Sequence, residues 1–241
     1  MLMRWRLGLG LFFILCGISI RAYSFPITIT ATGDNYLYYY DWAKNSWEKL
    51  DEQDYDSWKS ASMVSLDWDS DWEYLVFAVK NRGTGSSGNP AGLLAQIDMG
   101  GVKVLSDESW EVFGISNGWS GVPGFDVEDY LQRTGWSKAE WYADNMGAVN
   151  PLHSEADEDG DGVSFWYESN GGSILGIGDE AKWIWTGRNF SSDMDKGALF
   201  RVSIDDPQNA PLQVAPEADS FALVLVGFLV VMGYTRQLKG A

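Results

Sequence analysis

Short apolar stretches separated by turn-forming residues constrain this chain more than any other feature of its sequence. Each stretch is rich in Ile, Val, Tyr, Trp or Thr, and clusters of Gly, Asn, Asp and Ser lie between them. They are ITITA at 27–31, NYLYYYDW at 35–42, EYLVFAVKN at 73–81, GLLAQIDM at 92–99, VSFWY at 163–167, KWIWTG at 182–187 and ALFRVSI at 198–204. Several alternate apolar and polar residues, as half-buried strands do. The pattern predicts an all-β sandwich.

Helical periodicity is weak along the same region. Three short segments have some of it: KNSWEKLDEQ at 44–53, VEDYLQRT at 127–134 and SKAEWYADN at 137–145. Because they lie between the apolar stretches, we expect short helices in insertions around a β-sandwich domain that spans residues 25–204.

The N-terminus has the layout of an export signal. Arg4 and Arg6 precede an apolar run at 7–20, and small residues follow near Ser24. A basic region, a short apolar region and a small-residue cleavage site are typical of a secretory signal peptide. We interpret residues 1–24 as that signal, with a retained N-terminal anchor as the alternative. The single cysteine, Cys16, lies inside it, so we expect no disulfide in the exported domain.

The balance of charges limits the partners. The chain has 34 Asp and Glu against 17 Lys and Arg, which gives a net charge of -17. A surface this acidic repels nucleic-acid phosphates and anionic membrane surfaces, whereas it suits cations, neutral sugars or basic partners. We therefore expect no nucleic-acid partner.

The C-terminal part combines an apolar run with a basic end. Residues 205–214 have the composition of a linker, and an apolar run at 221–234 precedes Arg236. As a helix this run rises about 21 Å, which is short of the roughly 30 Å hydrocarbon core of a bilayer. The pattern predicts a C-terminal apolar helix that contacts the membrane as a transient stop-transfer segment, with Arg236 on the cytoplasmic side. An ordinary membrane helix is the alternative.

One acidic loop, DEDGDGVSFWYE at 157–168, has the spacing of a calcium site. Its ligand positions 1, 3, 5, 7 and 12 are Asp157, Asp159, Asp161, Val163 and Glu168. Position 6 is Gly162, which allows the sharp turn. Hard oxygen ligands around a glycine turn suit Ca²⁺. The following stretch, VSFWY, predicts a strand rather than a helix, so a solvated acidic turn is the alternative.

Tryptophan is abundant, with 13 residues in the chain. Trp183 and Trp185 alternate within an apolar stretch, and we predict that they fill the core. Four others lie in polar insertions, where a flat ring can stack on a sugar. These candidate ligand-binding residues are Trp42, Trp47, Trp119 and Trp136. The alternative for each is to anchor a loop or fill the core.

His153 is the single histidine, and we predict that it lies in a surface loop beside Pro151. With one histidine and no cysteine after the signal peptide, the chain has few residues from which a Ser-His-Asp or Cys-His catalytic site could form. Paired carboxylates can hydrolyse glycosides, but in so acidic a chain such pairs are expected by chance. We predict a protein that is not an enzyme.

Several motifs occur in the order that resembles the galactose-binding-like jelly-roll modules of bacterial secreted proteins. They are DNYLYYY at 34–40, AVKN at 78–81, PAGLLAQI at 90–97, DESWEVF at 107–113, WIW at 183–185 and FRVSI at 200–204. The resemblance implies a jelly roll that binds a ligand. Insertions at 41–58 and 114–162 interrupt the resemblance, and there we expect the ligand preference to be set.

The tail APEADSFALVLVGFLVVMGYTRQLKG at 215–240 resembles a PEP-CTERM sorting signal. Such a signal has a Pro-Glu motif, an apolar segment and a basic end, and a membrane protease called exosortase recognises it. The resemblance assigns Pro216, Glu217 and Arg236 to the signal and implies an exosortase-type protease as a partner. It departs from the pattern at Ala218, where the motif has a second proline.

Together these features predict an exported β-sandwich binding module of the cell envelope, cell surface or extracellular matrix. The expected ligands are glycans such as extracellular polysaccharide, and the expected cofactor is Ca²⁺. The alternative is a structural matrix or biofilm protein with protein partners and no sugar binding. Exposed aromatic rings in the two insertions favour the first hypothesis, and buried rings favour the second.

Deletion of residues 216–241 tests the sorting interpretation. We expect the shortened chain to leave the envelope fraction and enter the periplasm or the medium, because the motif, the apolar run and the basic end are all removed. Cell fractionation with immunoblotting measures this, and deletion of residues 206–213 is the control that keeps the tail. A shortened chain that stays membrane-bound would make the N-terminal segment the anchor.

Overall fold

The protein is described here from a computed structural model that covers residues 24–50, 57–81, 91–116, 122–157, 159–187 and 196–204. The strands of these residues form two antiparallel sheets, and the helices are few and short. The predicted all-β sandwich is confirmed. The predicted signal peptide (except Ser24), the linker and the C-terminal apolar helix lie outside the described residues. Within the described ranges, no helix has both the length and the apolar character needed to cross a membrane.

The secondary structure consists mainly of strands. In chain order they are β1 (Ser24–Asp34), β2 (Tyr36–Asp41), β3 (Ser46–Lys49), β4 (Ser62–Asp69), β5 (Tyr74–Lys80), β6 (Gly92–Met99), β7 (Val102–Leu105), β8 (Glu111–Ile115), β9 (Ser137–Lys138), β10 (Glu140–Asp144), β11 (Lys182–Trp185) and β12 (Gly197–Ser203). The helices are α1 (Val127–Gln132) and α2 (Phe165–Asn170), and 3-10 turns lie at Ser57–Lys59 and Ser154–Ala156. The first sheet has the order β10-β11-β6-β1-β4, with β7 also paired to β6, and the second has the order β3-β2-β5-β12-β8-β9.

Large aromatic side chains fill the main core. Those that expose less than 2% of their surface include Trp68, Trp110, Trp166, Trp183 and Trp185. The prediction that Trp183 and Trp185 lie in the core is confirmed. The ring of Trp166 in α2 stacks on Trp183 in β11, with centroids 4.8 Å apart and planes 8° apart. Because each buried aromatic removes about 150–250 Å² from water, a core of this kind stabilises a domain that has no disulfide.

A smaller core covers the opposite face of the second sheet. Successive residues of a strand point to opposite faces, and the residues Tyr38, Tyr40, Val76, Ala78 and Leu199 form this second cluster. The segment 122–136 lies across them, and Val127 of α1 is buried there. Asp126 caps α1 by accepting bonds from the N–H groups of residues 128 and 129. The helix predicted at 127–134 is therefore confirmed over 127–132.

Two segments predicted as helices are strands. Residues 46–49 of the 44–53 segment form a hairpin with β2, closed by a turn in which Asn45 has a φ of 53°. The 137–145 segment forms β9 and β10. Weak helical periodicity over so few residues is outweighed by cross-strand contacts such as Tyr40 with Trp47, whose ring centroids are 5.3 Å apart. Residues 51–53 lie outside the described ranges.

Gly92 lies where the stacked tryptophans leave no room for a side chain. A Cβ at this position would stand 2.8 Å from Cε3 of Trp183. We expect Gly92→Ala to lower the free energy of unfolding by about 1–3 kcal/mol, because the ring cannot move without disturbing its stack. Gly124→Ala is the matched control, since no heavy atom lies within 4 Å of a Cβ there. Urea denaturation measures both variants, and equal stability would contradict this packing.

Candidate functional site

The acidic loop at 157–163 folds around its own carboxylates. Asp157 accepts hydrogen bonds from the backbone N–H groups of Gly160, Asp161 and Gly162 at 2.7, 3.1 and 2.9 Å. Asp161 in turn accepts one from the N–H of Val163 at 2.8 Å. Gly160 and Gly162 have φ values of 81° and 89°, a conformation that favours glycine. The turn predicted from the position of Gly162 is thus present.

Three carboxylates converge in this loop. One oxygen each of Asp157, Asp159 and Asp161 lies within 4.8 Å of the others. Like charges this close disfavour each other, and a divalent cation relieves the repulsion. The oxygens are hard ligands of the kind that Ca²⁺ and Mg²⁺ prefer. In the part of the chain that the structure describes, no second group of three His, Cys, Asp or Glu residues meets in this way.

Helix α2 begins directly after the loop, so the strand predicted at 163–167 is wrong. Ser164 caps the helix by accepting a bond from the N–H of Tyr167 at 3.4 Å, and Gly171 ends it with a φ of 74°. These caps outweigh the β propensity of Val, Phe, Trp and Tyr, which is a context-dependent preference. Glu168 consequently stands in the first turn of α2. Helix α2 therefore carries position 12 of the predicted twelve-residue calcium loop, and a 3-10 turn at Ser154–Ala156 precedes that loop.

The C-terminal end of the loop and the start of α2 contact the rest of the domain. The N–H of Ser164 donates to the carbonyl of Gly147 at 2.9 Å, and Val163 forms a β-bridge with Ala148. The indole of Trp166 is buried in the core stack one helical turn before the end of α2. The position of the loop is therefore set by the core rather than by the loop sequence alone.

Trp42 and Trp47 lie in the smaller core. Trp42 is half-buried, and its N–H donates to the carbonyl of Tyr74 at 2.9 Å. Trp47 exposes 9% of its surface, and its N–H donates to the carbonyl of Phe125 at 3.2 Å. Both rings meet the ring of Tyr40 edge-on, at 5.0 and 5.3 Å, and burial raises the pKa of this phenol. Trp47 thus has little ring surface left for a sugar.

Trp136 is half-buried and contacts a cation. The guanidinium of Arg201 lies 4.3 Å from the ring centroid of Trp136 and 4.5 Å from that of Tyr74. Glu111 accepts a bond from Nε of Arg201 at 2.8 Å. These two cation–π contacts hold the insertion against the sheet. Trp119, the fourth candidate for sugar stacking, lies outside the described residues.

His153 is buried, so its prediction as a surface residue is wrong. The residue exposes 4% of its surface, and its ring centroid lies 4.1 Å from that of Tyr142. Its Nε2 is 2.7 Å from a carboxylate oxygen of Glu140. Sequence spacing does not predict this contact. Glu140 and Tyr142 lie on β10, whereas His153 lies on an irregular connection. His153 braces the chain just before the 3-10 turn that leads into the acidic loop.

An uncharged cleft of about 270 Å³ lies beside the 122–136 insertion. Its lining residues are Phe113, Gly114, Ser116, Thr134, Gly135, Ser137 and Thr186. Four of them carry hydroxyl groups, which can both donate and accept hydrogen bonds. The sequence gives no signal for this cleft, because its residues come from three separate parts of the chain.

Comparison with known proteins adds no relative. No family model, curated protein or solved structure matches the chain. The resemblances to galactose-binding-like modules and to PEP-CTERM signals therefore rest on their motifs, and both stay predictions.

Trp47→Ala tests whether this indole belongs to the smaller core. We expect the variant to lose about 3–5 kcal/mol of unfolding free energy, because a large buried side chain leaves a cavity. Leu152→Ala is the control, since Leu152 is 85% exposed. Urea denaturation followed by tryptophan fluorescence and circular dichroism measures both. If Trp47→Ala is as stable as the control, the ring of Trp47 is not part of the core and stays a candidate for sugar binding.

Proposed function

We propose that this protein is an exported β-sandwich of the cell envelope or extracellular matrix that is stabilised by Ca²⁺ and acts by binding rather than by catalysis. The observation that carries the proposal is the loop, in which three aspartate oxygens lie within 4.8 Å and a capped helix follows with Glu168 in its first turn. A chain exported from the cell meets calcium at concentrations at which weak extracellular sites bind it.

The residues that would hold the ion are Asp157, Asp159, Asp161 and Glu168 through their carboxylates and Val163 through its carbonyl. A bound Ca²⁺ supplies positive charge that offsets the repulsion among these groups. The chain supplies the shape of the loop. Backbone N–H groups already orient Asp157 and Asp161, and this orientation lowers the cost of ordering the ligands.

A structural role with protein partners is the first candidate for the binding activity. The packing of the aromatic rings in the insertions supports this candidate. Trp42 and Trp47 donate to backbone carbonyls, and Trp136 packs on Arg201. These rings hold the insertions on the sandwich, which leaves them less surface for ligands. The net charge of -17 suits basic surfaces on the partners.

Glycan binding is the second candidate, and the uncharged cleft favours it. Four hydroxyl groups and the ring of Phe113 line a space of about 270 Å³, close to the lower end of ligand pockets at about 300 Å³. Hydroxyls that donate and accept, next to an apolar face, match the chemistry of a neutral sugar. An extracellular polysaccharide is the ligand class that this cleft would take.

The proposal that the protein is delivered to the envelope is based on the C-terminal tail. Pro216, Glu217 and Arg236 occupy the positions of the sorting signal that the tail resembles. An exosortase-type membrane protease is the partner we propose for this step, and the apolar run at 221–234 is the segment that would contact the membrane.

Calcium should raise the thermal midpoint of the full chain in non-ionic detergent. An ion that binds only the native state adds RT ln(1 + [L]/Kd), which is about 2.7 kcal/mol at a hundredfold excess over Kd. We expect Asp157→Asn with Asp161→Asn to abolish the shift, because both ligands keep their shape but lose their charge. Differential scanning calorimetry with calcium or with chelator measures this.

Glu128→Gln with Glu180→Gln is the matched control, because it removes the same charge at two exposed residues outside the loop. This control should keep the calcium shift. If the thermal midpoint of the unmodified chain is the same in calcium and in chelator, the loop is a solvated acidic turn that binds no calcium. Loss of the shift in both double variants would assign it to general screening of the acidic surface.

A further inference from the structure

We propose that two copies of this chain pair through β4, edge to edge and antiparallel, with Ser65 of each copy on the two-fold axis. The result is one continuous sheet that runs through both sandwiches. This interaction goes beyond the proposed function, because neither calcium nor a glycan takes part in it.

Strand β4 is a long, regular edge. It pairs with β1 over eight residues, from Ser62 opposite Ala31 to Asp69 opposite Ser24. Within the described ranges, no strand pairs with its other side. The backbone N–H and C=O groups on that side form a template for another strand. The sequence SMVSLDWD has no proline, lysine or arginine, the residues with which natural proteins most often block an open edge.

The other ends of the two sheets are blocked. Strands β3 and β7 have four residues each and contain Lys49 and Lys103, and β9 has two residues. Strand β10 is interrupted by a bulge between Trp141 and Ala143, and Ala143 also bridges to Val149 on its outer side. Short strands, lysine and bulges each oppose edge pairing. The contrast with these four edge strands marks β4 as the open edge.

A second copy fits this edge because the strand is complementary to itself. A two-fold axis at Ser65 places Val64 opposite Leu66 of the other copy and Met63 opposite its Asp67, so no like charges face each other. Val64 and Leu66 are half-buried on the core side of the sheet, and Met63 is 67% exposed. Pairing extends the apolar row across the contact and covers the methionine.

The charges that flank β4 are also complementary. Exposed Lys59 precedes the strand, whereas Asp69 ends it and exposed Asp71 follows it. In an antiparallel pair the start of one strand lies beside the end of the other, so each Lys59 approaches the aspartates of the other copy. The two-fold axis repeats this contact. Attraction at this edge opposes the general repulsion between two chains of net charge -17.

Cysteine crosslinking tests the contact in the full chain. In a Cys16→Ser background kept in non-ionic detergent, Ser65→Cys places two thiols opposite each other, and Cβ atoms of facing residues are about 4.5–5.5 Å apart. We expect mild oxidation to convert most of this variant to a dimer on a non-reducing gel. Ser203→Cys, at an exposed residue of β12, is the matched control and should remain monomeric.

Analytical ultracentrifugation of the chain with Ser65→Lys supplies a second measurement. Two ammonium groups face each other in this variant, so we expect the dimer to dissociate at about tenfold higher concentration. Leu175→Lys adds the same charge at another exposed site, 88% exposed in the structure, and should behave as the unmodified chain. Three results would each overturn the proposal: a monomer at every concentration, a dimer that Ser65→Cys fails to crosslink, or equal crosslinking through Ser203→Cys.

Discussion

The stack of Trp166 on Trp183 is the contact on which the rest of this structure depends. Helix α2 has six residues, and a helix of that length is not stable in water by itself. Its place on the sandwich comes from the buried indole, from the Ser164 cap and from the close approach of Gly92 to the stacked rings. Because Glu168 stands in the same helix, the stack also joins the acidic loop to β11. A calcium ion in the loop would thus act on the core through one short helix.

The described residues of the two insertions, at 41–58 and 114–162, pack on the sandwich. The 122–136 segment converts the free face of the second sheet into a second core, and it uses Trp47, Trp136 and Arg201 to do so. What remains for recognition is the uncharged cleft beside the insertion, the acidic loop and the edge of β4. These three places are formed by different residues, so an ion, a ligand and a second copy would not compete for the same side chains.

The sequence predicted the strands better than it predicted the site. Apolar stretches such as 73–81 and 92–99 became β5 and β6, because long-range pairing and burial agree with local propensity there. The stretch at 163–167 became a helix, since the Ser164 cap, the Gly171 turn and the burial of Trp166 act together against β propensity. The burial of His153 depends on Glu140 and Tyr142, which sequence spacing does not bring near it. The spacing of the aspartates did predict their convergence, because their loop is local in sequence.

Hydrogen–deuterium exchange of the full chain, with calcium and with chelator, tests the central claim most directly. That claim is that Ca²⁺ in the acidic loop stabilises the sandwich through α2. The account predicts slower exchange with calcium in residues 157–172 and in β11, and unchanged exchange in β3 and α1, which belong to the smaller core. Exchange in 157–172 that is the same with calcium and with chelator would contradict it.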